Sequence, residues 1–333
     1  MTAKRAISIT LGLVGVASAV FTYRTFRSEM DSAEKRVSTG SRIMITSHGP
    51  IEYTSVGDGF PLLIIHGAGG GFDQLRRFES DIHLSELGFR LIFVSRFGYL
   101  RSPLPTDAST RAQADAYVAL LDILGIDQAG VIAVSAGAPS GLQFCASYPE
   151  RCAVLALLVP AAFVPGQPST APNAPPLTEF FRNTLLKSDF AFWLATKAAH
   201  NTMIENILGT PSMVAERASA AERQRLDGVL MDILPVSQRR AGLLNDAAVV
   251  THLEPADLPR IKVPTLLISA EDDGYGTFRS ARYLAKEISG ARLVIYPDGG
   301  HLWIGHEEEF QKEIEGFLRP LGSGANRNGD NGG

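Results

Sequence analysis

The stretch VIAVSAGA, residues 131–138, decides how the rest of the chain is interpreted. It is an apolar run that stops at Ser135, with Ala133 two positions before that serine and Gly137 two positions after it. A serine becomes an effective nucleophile when a sharp strand-to-helix turn aims its hydroxyl at a base, and such a turn needs small residues at those two positions. The pattern predicts a nucleophile, and the alternative is a serine that only opens a helix after a buried strand. The other motifs of the chain decide between the two.

The composition indicates a large globular chain without a nucleic-acid partner. The 333 residues are 45% hydrophobic, which is enough for one large α/β domain with an insertion, or for two ordinary domains. The formal net charge is −4, and no block of Lys and Arg interleaved with aromatic residues is present. Such a balance lacks the basic surface that nucleic-acid binding requires.

The two cysteines give no metal-site signal. Cys145 and Cys152 belong to no Cys-x-x-Cys or Cys/His cluster, so we expect no structural zinc. We expect both to be small core residues rather than a disulfide. No metal or organic cofactor is predicted.

The first part of the chain carries a membrane signal. Lys4 and Arg5 precede an uncharged stretch over residues 6–23, which Arg24 ends. One interpretation is a single-pass membrane anchor, and the other is a signal peptide cleaved after Ala19, which would give an exported protein. We favour the anchor because the apolar run continues past the candidate cleavage site.

Beyond this segment the chain alternates between strand-like and helix-like stretches. Near-continuous apolar strands alternate with helices over residues 42–160 and again over residues 259–321, which predicts a mostly parallel central sheet covered by helices on both faces. The alternation stops over residues 161–258, where aromatic-rich helical stretches predict an inserted helical cap. Residues 1–41 are expected to form the anchor and a helical stalk. The Gly- and Asn-rich residues 322–333 are expected to be disordered.

A glycine-rich loop follows the first strand of the alternation. Its sequence is HGAGGG, residues 66–71, and consecutive glycines let backbone N–H groups approach a ligand closely. A dinucleotide-binding loop is disfavoured because Phe72 stands where that pattern needs glycine, and the Gly-Lys-Ser/Thr ending of a P-loop is absent. The loop is therefore a candidate for binding a developing oxyanion.

Two further motifs follow the last two strands. AEDDG, residues 270–274, places carboxylates at the end of a strand, where open α/β sheets build their sites. DGGH, residues 298–301, presents a histidine on a Gly-Gly turn. We expect Asp273 and His301 to be functional, and Glu271 and Asp272 to form a solvated acidic turn. The order Ser, Asp, His is that of one known type of catalytic triad.

These motifs together resemble the α/β-hydrolase superfamily, in particular its capped members, over about residues 43–320. Residues 66–69 are similar to its oxyanion loop, residues 95–102 to the loop after the next strand, and residues 133–137 to its nucleophile turn. The resemblance implies the α/β-hydrolase fold, with Asp273 in the acid position and His301 in the base position.

The resemblance also implies a mechanism. Ser135 attacks a carbonyl carbon, His301 takes its proton and later delivers it to the leaving group, and Asp273 orients the imidazole. The backbone N–H groups implied for the oxyanion are those of Ala68, Gly69 and Ala136.

The function predicted from the sequence is a membrane-anchored serine hydrolase for a small, apolar or mixed ester-like substrate. Carbon–carbon hydrolysis of a diketone and perhydrolase chemistry use the same three residues and stay open. A non-catalytic binding module tethered to the membrane is an alternative of another class. Dehalogenase and epoxide-hydrolase chemistry need a carboxylate at position 135, so Ser135 disfavours both. Because every motif lies beyond Ser41, we expect removal of residues 1–41 to leave activity unchanged.

Overall fold

An eight-stranded sheet forms the centre of the molecule. A computed structural model describes residues 3–167 and 184–325 of the chain. The strands are β1 (Arg42–Thr46), β2 (Gly49–Val56), β3 (Phe60–Ile65), β4 (Phe89–Val94), β5 (Ala129–Val134), β6 (Cys152–Leu158), β7 (Thr265–Ala270) and β8 (Arg292–Tyr296). They are ordered β1-β2-β4-β3-β5-β6-β7-β8. β1 and β2 pair antiparallel, β2 pairs antiparallel with β4, and β3 to β8 are parallel. The prediction of a mostly parallel sheet is confirmed.

Helices cover both faces of this sheet. They are α2 (Leu75–Ile82), α3 (Thr110–Ile123), α4 (Ala138–Ser147), α10 (Thr277–Glu287) and α11 (Glu307–Ala325). Alternate residues of a strand point to opposite faces, so Leu63 joins the buried cluster that contains α3, α4 and α10, whereas Leu62 joins the cluster that contains α2 and α11. This double coverage explains why the strands are apolar on both faces. Residues 322–325, expected in the disordered tail, are part of α11, and residues 326–333 lie outside the described residues.

Between β6 and β7, the regular elements that the structure describes are helical. The α-helices are α5 (Asp189–Ala198), α6 (His200–Ile207), α7 (Ser212–Arg217), α8 (Ala220–Met231) and α9 (Arg240–Thr251), and we call them the cap. Phe192, Trp193 and Leu230 belong to a buried cluster of the cap that is separate from the two sheet clusters. The aromatic residues that marked this segment in the sequence are thus partly core residues of the cap.

The first helix does not stand apart from the domain. α1 (Ala3–Ser38) contributes Phe26, Met30 and Ala33 to the buried cluster of the cap. Arg36 pairs with Asp73 at 2.9 Å, beside the glycine-rich loop. The helix expected over residues 24–41 is present up to Ser38, but it packs against the cap and does not stand free as a stalk.

The predicted membrane anchor is not supported either. Within the part of the chain that the structure covers, no helix combines the length and the apolar character that crossing a membrane requires. The expectation over residues 6–23 rested on their lack of charge, and a helix can lack charge without being apolar enough to cross a membrane.

The cysteines also differ from expectation. Cys145 near the end of α4 and Cys152 at the start of β6 form a disulfide, with their Cα atoms 5.3 Å apart. The turn between the helix and the strand brings them together, seven positions apart in sequence.

Candidate active site

The nucleophile turn lies directly after β5. Ser135 has φ +50°, a left-handed conformation that is uncommon and strained for a residue with a side chain. A Cβ added at Gly137 would lie 2.6 Å from the carbonyl oxygen of His66, so only glycine fits that position. α4 starts at Ala138, and the strand, turn and helix follow each other within a few residues. The turn has the geometry predicted from residues 131–138.

Asp273 and His301 meet beyond the ends of β7 and β8. The Nδ1 atom of His301 lies 2.8 Å from Oδ2 of Asp273. The other carboxylate oxygen accepts the backbone N–H of Tyr275 at 2.8 Å, and the hydroxyl of Thr277 donates to Oδ2. With Nδ1 engaged, Nε2 is the nitrogen of His301 that is left to accept a proton.

The surroundings keep Asp273 ionised. Burial by itself would raise the pKa of this carboxyl, but the charge of His301 and the hydrogen bonds from His301, Thr277 and Tyr275 lower the pKa below its usual value. A carboxylate at neutral pH accepts the Nδ1–H of His301 and fixes the tautomer in which Nε2 carries the lone pair.

Asp272 orients the turn that carries the histidine. Its carboxylate accepts the backbone N–H of Gly300 at 2.8 Å and that of Gly299 at 3.3 Å. The expectation of a solvated acidic turn fits Glu271, which is exposed and pairs with Arg282, but it is wrong for Asp272. The N–H groups of a Gly-Gly turn lie outside helix and strand and need acceptors of their own, and this was the signal that could have pointed to Asp272.

Ser135 and His301 line the same cavity, which has a volume of about 430 Å³. Gly67, Ala68 and Ala136 line it as well. Its other walls are mainly apolar and include Ala162, Phe163, Ile207, Leu208, Val229, Leu243, Val250, Leu253 and Leu302. The cavity therefore brings the predicted nucleophile and base together with two of the three predicted oxyanion donors.

The third predicted donor is engaged elsewhere. The N–H of Gly69 donates to the hydroxyl of Tyr99 at 3.3 Å. Among the three residues expected to bind an oxyanion, Ala68 and Ala136 are thus the two that the structure leaves at the cavity.

The cavity is also lined by a buried carboxylate that no sequence motif indicated. Asp246, on α9 of the cap, lines the cavity and is paired with Arg96 in the loop after β4. The two residues are 150 positions apart, so no local pattern could have indicated the pair.

In the described part of the chain, no group of three or more His, Cys, Asp or Glu side chains is placed to hold a metal ion.

Comparison with known proteins gives the family. A sequence model described as alpha/beta hydrolase fold matches residues 61–305, a span that contains Ser135, Asp273 and His301. The chain belongs to the alpha/beta hydrolase family. It is accordingly a hydrolase of the alpha/beta fold.

Relatives of this alpha/beta hydrolase are distant but nearly full-length. It is 29% identical to the uncharacterized hydrolase YcgS of Bacillus subtilis, over 81% of this chain and 95% of the relative. It is 26% identical to a 2-hydroxy-6-oxononadienedioate/2-hydroxy-6-oxononatrienedioate hydrolase of Burkholderia vietnamiensis, over 81% of this chain and 91% of the relative. An alpha/beta hydrolase fold protein from Nakamurella multipartita has a similar structure, with a TM-score of 0.65, 24% identity, and coverage of 84% of this chain and 99% of its own.

Proposed function

We propose that this alpha/beta hydrolase is a serine hydrolase that cleaves a small ester-like substrate with an apolar part. Ser135 is the nucleophile, His301 the general base and acid, and Asp273 the residue that orients His301. One observation carries the proposal: a serine in a strained turn shares a cavity with a histidine whose Nδ1 is held by a buried carboxylate.

The chemistry follows from this arrangement. Oγ of Ser135 bonds to the carbonyl carbon while its proton passes to Nε2 of His301, and the carbonyl oxygen becomes an oxyanion. The backbone N–H groups of Ala68 and Ala136 stabilise this oxyanion, and such donors contribute about 3–4 kcal/mol each in known cases. The intermediate collapses, the leaving group takes the proton from His301, and water then hydrolyses the acyl-serine by the same steps.

The walls of the cavity support an apolar or mixed substrate. Its volume of about 430 Å³ lies within the usual range for small-molecule pockets. The polar and charged groups in the lining include Gln74, Gln167, Asp246, Thr277, Arg279 and Ser280, and the rest of the lining is mostly aliphatic and aromatic. A substrate with an apolar acyl part and one polar end fits this distribution.

Carbon–carbon bond hydrolysis is the second candidate. Two relatives, each 26% identical to this chain, are named as hydrolases of oxo-dienoates. One is the relative from Burkholderia vietnamiensis, and the other is a 2-hydroxy-6-oxo-6-phenylhexa-2,4-dienoate hydrolase of Comamonas testosteroni. The same Ser135, Asp273 and His301 serve both reactions. Assay of the purified protein with p-nitrophenyl esters and with a 2-hydroxy-6-oxo-dienoate separates the two.

The nucleophile is tested by covalent labelling. Full-length protein treated with a fluorophosphonate should gain one adduct, at Ser135, as read by peptide mass spectrometry. Ser135→Ala should abolish the adduct and keep the circular-dichroism spectrum, whereas Ser212→Ala, which removes a hydroxyl outside the cavity, should keep the adduct. An adduct on another serine, or a folded wild-type protein that takes no label, would overturn the proposal and favour a non-catalytic binding module.

A further inference from the structure

The glycine-rich loop is held in place by two residues of the loop after β4. Arg96 donates from Nε to the carbonyl oxygen of His66 at 2.8 Å and from Nη2 to that of Gly67 at 3.3 Å. The hydroxyl of Tyr99 accepts the N–H of Gly69 at 3.3 Å. Ala68 lies between these anchored residues, so the position of its N–H depends on Arg96 and Tyr99.

Both of these residues are in turn bound by one carboxylate of the cap. Oδ1 and Oδ2 of Asp246 accept from Nη1 and Nη2 of Arg96 at 2.6 and 2.5 Å, and Oδ2 also accepts from the hydroxyl of Tyr99 at 2.5 Å. All three side chains are buried. A bidentate pair between ionised groups is among the strongest and most directional of protein hydrogen-bonding arrangements.

The backbone joins the same two segments. The N–H of Gly242, on α9, donates to the carbonyl oxygen of Gly98 at 2.8 Å, and the N–H of Leu100 donates to that of Gln238 at 2.9 Å. A Cβ at Gly242 would lie 2.2 Å from the ring of Tyr99, so this ring packs directly on the backbone of the cap helix. The segment around the start of α9 and the loop after β4 are therefore joined through the backbone as well as through side chains.

The protonation states suit this arrangement. Burial and the charge of Arg96 lower the pKa of His66 well below its usual value, so its Nε2 stays free to accept the backbone N–H of Arg96 at 3.0 Å. Burial and the charge of Asp246 raise the pKa of Tyr99 well above its usual value, so its hydroxyl stays a donor to Asp246.

We propose that Asp246 is a positioning residue for catalysis: through Arg96 and Tyr99, this cap carboxylate sets the oxyanion loop, so that full oxyanion stabilisation requires the cap to be docked. The inference rests on the proposed serine hydrolase function. The hydrogen bonds of Asp246 go to Arg96 and Tyr99, so its effect on catalysis passes through the loop.

Tyr99→Phe tests this inference with the smallest change. It removes only the hydroxyl that links Gly69 to Asp246. We expect kcat for a p-nitrophenyl ester to fall about 10-fold or more with KM nearly unchanged, since small misplacement of a transition-state donor acts on kcat. Affinity for a trifluoromethyl ketone, which mimics the tetrahedral intermediate, should fall in parallel.

Tyr148→Phe is the matched control. The hydroxyl of Tyr148 also donates to a carboxylate, that of Asp115 at 2.6 Å, and the residue lies directly after α4, outside the cavity. This variant loses a tyrosine–carboxylate hydrogen bond as Tyr99→Phe does, but it should keep kcat and ketone affinity. Equal kcat values for the two variants, or an effect of Tyr99→Phe on KM alone, would overturn the inference.

Asp246→Asn is a second test of the inference. It removes the bidentate acceptor and should lower kcat further than Tyr99→Phe does, and Asp246→Glu should restore part of the loss. Breaking a buried ion pair is costly, so Tyr99→Phe decides alone if Asp246→Asn does not fold. A wild-type protein without fluorophosphonate labelling would refute the serine hydrolase itself, whereas a labelled and active wild type with an unaffected Tyr99→Phe variant would refute only the role of Asp246.

Discussion

At the scale of the residue, the candidate site combines one strained position with several fixed ones. Ser135 is held at positive φ by the tight turn after β5, and Gly137 leaves room for that turn to pack against the glycine-rich loop. Ser135 lines the cavity, and backbone strain of this kind is typical of residues at functional sites. His301 is fixed from two sides, by Asp273 on its ring and by Asp272 on the turn before it.

These two aspartates should differ in their effect on turnover. Asp273→Asn should lower kcat about 10⁴-fold, because an amide at this position favours the wrong tautomer of His301. Asp272→Asn keeps one carbonyl oxygen that can accept from Gly300, so we expect a loss of only about 10-fold. Steady-state kinetics of both variants, with urea unfolding to confirm folding, checks the assignment. A larger loss for Asp272→Asn than for Asp273→Asn would show that the acid is the other carboxylate.

At the scale of the element, α1 acts as a part of the cap. Phe26, Met30 and Val37 are buried, and Arg36 makes an ion pair with Asp73 and a second one with Asp232 at 3.6 Å. Asp73 also pairs with the fully buried Arg239 at 2.7 Å. The second half of α1 thus holds the cap and the segment after the glycine-rich loop together.

Removal of residues 1–41 should therefore weaken the fold, contrary to the expectation from the sequence. Burial of three large apolar side chains contributes about 5 kcal/mol or more, which is a large share of the stability of an ordinary domain. We expect urea unfolding of this truncated protein to show a loss of that order, together with reduced esterase activity. A protein lacking only residues 1–20 keeps Phe26 onward and should unfold as the full chain does. Equal stability of all three proteins would contradict the role given to α1.

At the scale of the whole molecule, buried carboxylates make the fold sensitive to acid. Burial by itself would raise the pKa values of Asp73 and Asp273. The pKa of Asp73 nevertheless lies below its usual value because of the charges and hydrogen bonds of Arg239 and Arg36. The pKa of Asp273 is lowered in the same way by the charge and hydrogen bond of His301. Such groups bind fewer protons in the folded chain than in the unfolded chain. Their contribution to stability is present above the unfolded pKa of about 4 and is lost as the pH falls through the lower, folded value.

The free energy of unfolding should accordingly decrease as the pH is lowered below about 4. Asp273→Asn removes one of the carboxylates responsible, so its unfolding free energy should change less over the same range of acid pH. Urea unfolding curves for both proteins at a series of pH values measure this slope. Identical slopes for the wild type and the variant would show that Asp273 is not responsible for the acid response.

The sequence by itself determined the fold and the position of the motifs. Apolar strands such as Ala129–Val134 that alternate with helices are typical of a parallel sheet between two helical layers, and the carboxyl ends of parallel strands share one edge. The turn at Ser135 and the Gly-Gly turn before His301 depend on residue size within a few positions, so they are local properties that the sequence displays directly.

Only the tertiary structure decided the contacts between distant segments. The absence of charge over residues 6–23 could not show that the rest of α1 packs on the cap, and the pairing of Arg96 with Asp246 spans 150 positions. Likewise, the hydrogen bond from the Gly69 N–H to Tyr99 joins the loops after β3 and β4, 30 positions apart in sequence. Ion pairs and hydrogen bonds of this kind depend on distances that are set when the cap closes on the sheet, and no local pattern of residue size or hydrophobicity encodes those distances.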